Sequence, residues 1–463
     1  MKKTTLTLFA ILLCIACFAQ DITGDWNGVL KTQGVALRLI FRISKNDSAF
    51  SCILKSPDQS PKDIPASSTS FDNSSLHVTV SNLHIEYTGS LKNDSIVGNF
   101  KQNGLTIPLN LFRQMPVVEK PKRPQEPAKP YPYYSEDITF ENQQAKITLA
   151  GTLTLPQKDG VFPAVVLISG SGPQNRDEEL LGHKPFLVLA DYLTKNGIAV
   201  LRFDDRGTAQ SKGTFNGSTS QDFSTDVDAA IAFLQTRKEI NKKKIGLIGH
   251  SEGGLIAPMV AARSKNIAFI VLLAGPGIPC DQLLLLQQSA IAKASGKSDS
   301  SIQRLIATNK KAFEIVKNAA SPEQLKTDMT KYLKEVTKNS PEKPQGMSDD
   351  DFVKLLVERV TDPWTVYFLK YDPAIALEKV KCPVLALNGD KDLQVTPKEN
   401  LEGIKQSLAK GGNKKVTTKL LPNLNHLFQE CKTGAPSEYA TIEQTFSPAA
   451  LSEVLQWIQT QVK

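Results

Sequence analysis

The stretch Lys244-Ile245-Gly246-Leu247-Ile248-Gly249-His250-Ser251-Glu252-Gly253-Gly254 decides how the rest of the chain is read. Residues 244–248 form an apolar strand, 249–253 a tight turn, and 255–263 repeats apolar residues at helical spacing. A serine held between a strand and a helix is lifted out of the sheet, and glycines flank it because side chains there would strike the turn. Gly-x-Ser-x-Gly alone recurs by chance; the strand before it and the helix after it make it specific. The bland alternative is a glycine-rich strand–helix turn without chemical consequence. Pro258 lies within the helix and cannot donate to Gly254, so a distortion is expected there.

Working outward, continuous apolar runs occupy 164–168, 198–203, 245–248, 267–273 and 384–387, and helical stretches at 186–196, 223–237 and 254–263 separate the first four. Strands apolar on both faces, alternating with helices, imply a mostly parallel sheet with helices on both faces. A hairpin at 137–155 precedes them, and the catalytic domain is expected over 134–463. Right-handed crossovers place the loops at the strands' C-terminal ends on one edge, where α/β sheets bind ligands. Residues 279–370 interrupt the alternation with helical patterns at 282–294, 302–318, 322–337 and 349–360. At that point they are expected to form a helical cap over the functional edge; the alternative is a peripheral embellishment.

A serine hydroxyl is a weak nucleophile without a base in hydrogen-bond reach. In this arrangement the acid and the histidine follow the serine in the chain. Of five histidines, His77 and His84 lie in the N-terminal region, His183 precedes the serine, and His250 sits in the turn with its ring expected to point away from the neighbouring hydroxyl; only His426 follows. It stands in a loop after a short strand at 415–420. An acid must orient the imidazole and stabilise its charged form. Asp390 and Asp392 both follow the strand at 384–387 and either fits. Two main-chain N–H donors for an oxyanion are expected from Glu252, next to the serine, and from Ser171 in Ser169-Gly170-Ser171-Gly172-Pro173. That loop lacks the lysine and hydroxyl residue of a phosphate loop and the third glycine of a dinucleotide site, and no His-Glu-x-x-His occurs, so neither cofactor nor metal is expected.

Ser169-Gly170-Ser171-Gly172-Pro173-Gln174-Asn175-Arg176-Asp177, Gly182-His183-Lys184-Pro185-Phe186, Asp204-Asp205-Arg206-Gly207, the serine turn, and Gly389 to Val395 with Asn425-His426 together resemble the α/β-hydrolase family, in its branch of bacterial esterases and serine-aminopeptidase-like hydrolases. The resemblance covers 135–463 apart from the helical insertion and implies the α/β-hydrolase fold. It selects Asp392, since the family spacing Gly-x-x-Asp-x-x-Val runs Gly389, Asp392, Val395, leaving Asp390 as a turn former. It makes Asp205 and Arg206 loop-ordering residues, with Arg206 facing substrate as the alternative. Where the family continues Gly-x-Ser after its Asp-Asp-Arg-Gly and one further residue, this chain has Ala209-Gln210-Ser211. The implied activity is cleavage of a small-molecule carboxylic ester through an acyl-enzyme on Ser251, with Asp392 and His426. Two alternatives stand beside it: a peptidase using the same residues, and a lipid- or glycan-binding protein carrying a vestigial hydrolase.

Residues 20–113 alternate in short runs broken by turn signals, Asn103-Gly104 among them, and about eight strands fit a small antiparallel β-barrel-like domain or sandwich. Six prolines within 114–133 mark a stiff, solvated linker. Residues 1–19 read as a signal peptide, with Lys2 and Lys3, an apolar stretch at 6–15 and Cys17-Phe18-Ala19 before Gln20. Export to the periplasm or beyond is expected; the competitor is a lipoprotein anchored through Cys17. No later run is apolar enough to span a bilayer. With 463 residues, 40% of them hydrophobic, there is core enough for two or three domains. The formal charge of +8 is mild for this length, and no basic run interleaved with aromatics points to nucleic acid. Cys52, Cys280, Cys382 and Cys431 remain after the leader; free thiols are expected and pairing is left open. Oligomeric state is not legible.

Overall fold

The computed structural model describes residues 21–32, 35–47, 49–58, 60–102, 105–116, 122–338, 340, 343 and 347–463. The expected leader at 1–19, the Asn103-Gly104 turn and linker residues 117–121 lie outside the described residues. The chain divides into two compact units near Val118, inside the stretch expected as a linker.

The N-terminal unit is one antiparallel sheet of nine strands: β1 (Gly24–Thr32), β2 (Val35–Asn46), β3 (Ala49–Ser56), β4 (Ser60–Pro65), β5 (Ser68–Asp72), β6 (Ser75–Val80), β7 (Ile85–Lys92), β8 (Ser95–Gln102) and β9 (Leu105–Phe112). Their order is β4-β3-β2-β1-β9-β8-β7-β6-β5. The expected β domain is present, but as a curled half-barrel: among the described residues the edge strands β4 and β5 do not pair with each other. Alternate residues of β7 (Ile85, Tyr87, Gly89, Leu91) turn to a buried face, the period of a half-solvated strand. The curl closes over them and brings Phe50 of β3 edge-on to Phe71 of β5, with ring centroids 6.0 Å apart.

The second unit opens with the hairpin β10 (Tyr134–Asn142) and β11 (Ile147–Leu155), followed by β12 (Phe162–Ile168), β13 (Ala199–Phe203), β14 (Ile240–His250), β15 (Phe269–Leu273), β16 (Val384–Gly389) and β17 (Val416–Leu421). The sheet order is β10-β11-β13-β12-β14-β15-β16-β17, with β12 to β17 mutually parallel and the hairpin antiparallel. Helices α1 (Pro185–Lys195), α2 (Ser220–Thr236), α3 (Glu252–Arg263), α4 (Cys280–Ala294), α5 (Asp299–Asn318), α6 (Pro322–Val336), α7 (Asp349–Val360), α8 (Pro363–Lys370), α9 (Ala374–Leu377), α10 (Pro397–Lys410) and α11 (Pro448–Gln461) complete it. Successive residues of β12 explain its unbroken apolar run. Ala164, Val166 and Ile168 pack with α2, α3 and α10, whereas Val165 and Leu167 pack with α1 and α11. Helix α3 continues through Pro258 without interruption.

Five helices, α4 to α8, make the insertion between β15 and α9. Val316, Met329 and Val357 form a small core of its own. Cys280 and Phe368 anchor it on Leu255 and Met259 of α3, the helix that follows Ser251. The expected solvated linker differs at Arg123, whose guanidinium donates to the carbonyls of Leu181, Gly182, Ala440 and Ile442. A cationic fork facing four carbonyls holds this part of the proline-rich stretch on the second unit, where composition suggested free chain. Cys52, Cys280, Cys382 and Cys431 are free thiols. Among the described residues no helix is long and apolar enough to cross a membrane.

Candidate active site

Ser251 joins β14 to α3 with φ 52° and ψ −117°, a conformation that L-residues adopt only when the surroundings impose it. Its N–H donates to the Leu273 carbonyl at 2.9 Å and its carbonyl accepts Gly254 N–H at 2.8 Å. The flanking glycines are a steric requirement. A Cβ on Gly249 would stand 2.0 Å from the Gly253 oxygen, and one on Gly253 would stand 2.1 Å from the Ile168 oxygen.

Three loops at the C-terminal edge of the sheet bring the expected residues together. Ser251 Oγ lies 3.0 Å from His426 Nε2, and His426 Nδ1 lies 2.9 Å from Asp392 Oδ2. His426 is held in a tight loop where Asn425 Oδ1 accepts the N–H groups of Leu427 and Gln429. The Asp392 side chain is fully buried. Its Oδ1 accepts the N–H groups of Gln394 and Val395 at 2.8 and 2.9 Å, and Asn388 reaches Oδ2 at 3.3 Å. Asp390 instead accepts Asn423 N–H at 2.6 Å and closes a turn. In this row the imidazole can take a proton from the serine while the buried carboxylate fixes the Nδ1–H tautomer.

Ser171 and Glu252 line the same cavity as Ser251 and His426. Glu252 opens α3, so its N–H has no intrahelical carbonyl. Gly170 N–H is engaged by Glu178 Oε1 at 2.7 Å, which leaves the Ser171 amide as the next donor along the loop. Asp205 orders this loop by accepting Ser169 O–H at 2.8 Å and Gln174 N–H at 2.9 Å. Burial pushes its carboxyl up to about 8 against these two donors. Arg206 turns away from the cavity to pair with Asp226 on α2, so it orders α2 and does not face the site. Ala209 takes the family's glycine position at φ 47°, and Ser211 Oγ donates to the Asp204 carbonyl at 2.6 Å.

Two features were not legible in the sequence. The His250 ring, expected only to point away from the neighbouring hydroxyl, lies 4.9 Å from the His426 ring and is bonded to Glu178 and to the His426 main chain. The Glu252 carboxyl is buried and accepts Ser220 O–H at 2.5 Å and Trp364 Nε1–H at 2.8 Å, with Ser171 also bonded to it. Burial raises its pKa despite those donors. Trp364 belongs to α8, a two-turn aromatic helix without a readable period. His183 bonds Thr445 and the Tyr439 carbonyl, and burial lowers it to about 4. The cavity holds about 270 Å³, with Leu283, Leu284, Trp364 and Phe368 of the insertion forming its apolar wall. Among the described residues no group of three or more His, Cys, Asp or Glu is placed to hold a metal ion.

The model of the serine aminopeptidase family, S33, matches residues 184–430, just over half of the chain. Esterase EstD of Thermotoga maritima is 27% identical over 302 residues, covering 64% of this chain and 62% of its own length. The chain therefore spans less than two thirds of that relative. The Pseudomonas aeruginosa protein PA2218 is 31% identical over 137 residues, 29% of this chain and 35% of its own. Among solved structures, an esterase of Pyrococcus furiosus superposes with a TM-score of 0.44 at 18% identity, covering 75% of this chain and 100% of that one. GrgF of Penicillium sp. sh18, an α/β hydrolase, gives 0.45 at 15%, covering 71% and 99%. The matched span holds all three members of the Ser251–His426–Asp392 row, and the chain belongs to the serine aminopeptidase S33 family, with the α/β-hydrolase fold.

Proposed function

We propose that the chain hydrolyses small carboxylic esters through an acyl-enzyme on Ser251. The observation that carries this reading is the unbroken row of Ser251 Oγ, the His426 ring and Asp392 at 3.0 and 2.9 Å on the wall of a cavity of about 270 Å³. His426 Nε2 takes the hydroxyl proton as Oγ attacks the ester carbonyl carbon. The carbonyl oxygen becomes an oxyanion between the Ser171 and Glu252 amides, and Asp392 stabilises the imidazolium. The imidazolium returns its proton to the leaving alkoxide as the C–O bond breaks. Water, deprotonated by the same ring, then releases the acid and restores Ser251.

Two features favour esters of small acids. At about 270 Å³ the cavity sits just below the ~300–1,000 Å³ of ordinary small-molecule sites, and the helical insertion caps it. The Glu252 carboxyl, the acid beside the serine, is bonded to Ser220, Trp364 and Ser171, so it is not offered to the free amine of a peptide. Incubation with a fluorophosphonate is expected to label wild type at Ser251 and to leave Ser251→Ala unlabelled and inactive toward p-nitrophenyl butyrate. A folded Ser251→Ala protein with wild-type turnover refutes the reading. Export accompanies this proposal: mass spectrometry of the mature protein is expected to find Gln20 at the N-terminus, and a diacylated Cys17 would replace export of the free chain with a membrane-anchored form.

A further inference from the structure

His250 is the residue before the nucleophile, yet its ring plays no part in the row that activates Ser251. It is buried, its side chain 8% exposed, beside a Glu178 side chain at 6%. Its Nδ1 lies 2.8 Å from Glu178 Oε1, and its Nε2 lies 2.9 Å from the main-chain oxygen of His426. The same Glu178 oxygen accepts Gly170 N–H at 2.7 Å, one residue before the expected oxyanion donor Ser171. Glu178 reaches this point from a left-handed backbone, φ 50°, which fixes its direction. Four groups from two loops and the end of β14 thus form one chain: Gly170 N–H to Glu178, Glu178 to His250, and His250 to the His426 carbonyl.

Counting protons along that chain leaves one proton between Glu178 and His250. A main-chain carbonyl only accepts, so His250 Nε2 carries a hydrogen. Glu178 Oε1 already accepts from Gly170, and the remaining proton lies between that oxygen and Nδ1, 2.8 Å apart. With that proton on Nδ1 the ring is an imidazolium facing a carboxylate. Burial works against the charged ring, but the Glu178 charge and hydrogen bond, the His426 carbonyl and the more distant Asp392 outweigh it and raise the His250 pKa.

We propose that Glu178 and doubly protonated His250 are positioning residues, which lock the oxyanion loop to the main chain of His426 so that nucleophile activation and oxyanion binding stay in register. The proposal rests on the serine-hydrolase reading above. Neither residue exchanges a proton with substrate; both act through Gly170 and His426. When the ring loses one proton, only one of its two contacts survives, because the nitrogen left bare then faces an acceptor. The register is therefore lost on the alkaline side. The ionisable groups around the ring are Glu178 from the 169–184 loop, His426 after β17, Asp392 after β16 and the neighbouring Ser251; Asp205 and Glu252 stand beside the oxyanion loop. The Phe428 ring meets His250 edge-on at 6.4 Å and carries no charge.

Glu178→Gln keeps an acceptor for Gly170 but removes the charge that holds the second proton on His250. Its kcat–pH profile for p-nitrophenyl butyrate is expected to show an alkaline limb moved at least one unit toward acid. At pH 8, kcat should fall tenfold or more while KM stays within about twofold; Glu178→Asp should recover part of the loss. A Glu178→Gln profile superposing on wild type overturns the proposal. A second readout needs neither turnover nor a folded variant. In wild-type protein with ¹⁵N-labelled histidine, only five ring systems are present. One of them besides His426 is expected to show both nitrogens protonated at pH 7. If no ring other than that of His426 holds two protons at pH 7, the proposal fails even with the enzyme fully active. If the doubly protonated ring is present and no ester is hydrolysed, the esterase reading fails instead.

Discussion

Asp392→Asn separates orientation from mere packing, because the structure dictates how the amide must lie. Asp392 Oδ1 accepts two main-chain N–H groups, from Gln394 and Val395. Turning an NH₂ toward them would set donor against two donors, at about 1–3 kcal/mol for each buried group left unpaired. The asparagine oxygen therefore stays there, and its NH₂ faces His426 Nδ1, 2.9 Å from the replaced oxygen. Nδ1 must then accept, so the neutral ring carries its hydrogen on Nε2, facing Ser251 Oγ, and cannot take the serine proton. Restoring the working tautomer opposes two buried donors, roughly 2–6 kcal/mol from the same figure, or about 1.5 to 4 decades at 1.36 kcal/mol per decade. Loss of the carboxylate that stabilises the imidazolium adds to this, so kcat is expected to fall on the order of 10³–10⁴-fold. Steady-state hydrolysis of p-nitrophenyl butyrate gives kcat, and thermal melting checks the fold. Asp390→Asn, which alters only the acceptor for Asn423 N–H, should stay within about threefold of wild type. A well-folded Asp392→Asn enzyme within tenfold of wild type, or an Asp390→Asn enzyme equally crippled, refutes the tautomer reasoning.

Two further outcomes follow from the cavity and the loop behind it. Esters of graded acyl length should give a kcat/KM maximum at four carbons or fewer and a drop of at least tenfold by twelve. Trp364→Ala, which removes the ring stacked on Phe368 at 4.9 Å, should move that maximum to longer chains; an unchanged length profile places the acyl group elsewhere. Asp205, raised by burial from 3.8 to about 8, holds a proton in the folded state that the unfolded chain gives up. The Asp205 contribution to stability is thus fully present below pH 4 and is lost as pH rises through 4–8. Asp205→Asn mimics the protonated carboxyl, accepting Gln174 N–H and facing Ser169. Its Tm relative to wild type should rise between pH 5 and pH 9, and a constant difference contradicts the assignment.

Local signals were legible in the sequence and distant partnerships were not. The turn at Ser251 could be read because strand, glycines and helix are contiguous and each has its own steric reason. His426 followed by elimination. Asp392 and Asp390 could not be separated by position alone, since both leave β16 on the same edge; what separates them is the ring at one and the Asn423 turn at the other. Glu178 stands 72 residues from His250 with no pattern joining them. Helix α8 was missed because eight residues, mostly aromatic or β-branched, carry too few turns to show a period; Asp362 caps it through Trp364 and Thr365 N–H. Arg123 misled in the opposite direction, because proline content speaks of stiffness and says nothing of the carbonyls that receive a guanidinium.

Three carboxyl groups surround the oxyanion loop, an arrangement that would oppose the negative charge a tetrahedral intermediate develops there. Each is handled differently. Glu178 is paired with the buried His250 ring, whose raised pKa offsets its charge. Asp205 keeps its proton up to about pH 8 while gripping Ser169 and Gln174. Glu252 is buried among Ser220, Trp364 and Ser171, with burial shifting it toward its neutral form. A carboxyl group is a good clamp because it can accept several donors at once, and a loop that must present its amides to a ligand needs such clamps behind it. The loop is therefore held by acids whose charge is paired or withheld by burial. All three become liabilities as pH rises, for Asp205 and Glu252 ionise and His250 loses the proton that balances Glu178. A single alkaline failure of the site is thus built from three groups, and only the Glu178–His250 pair connects it directly to the main chain of His426.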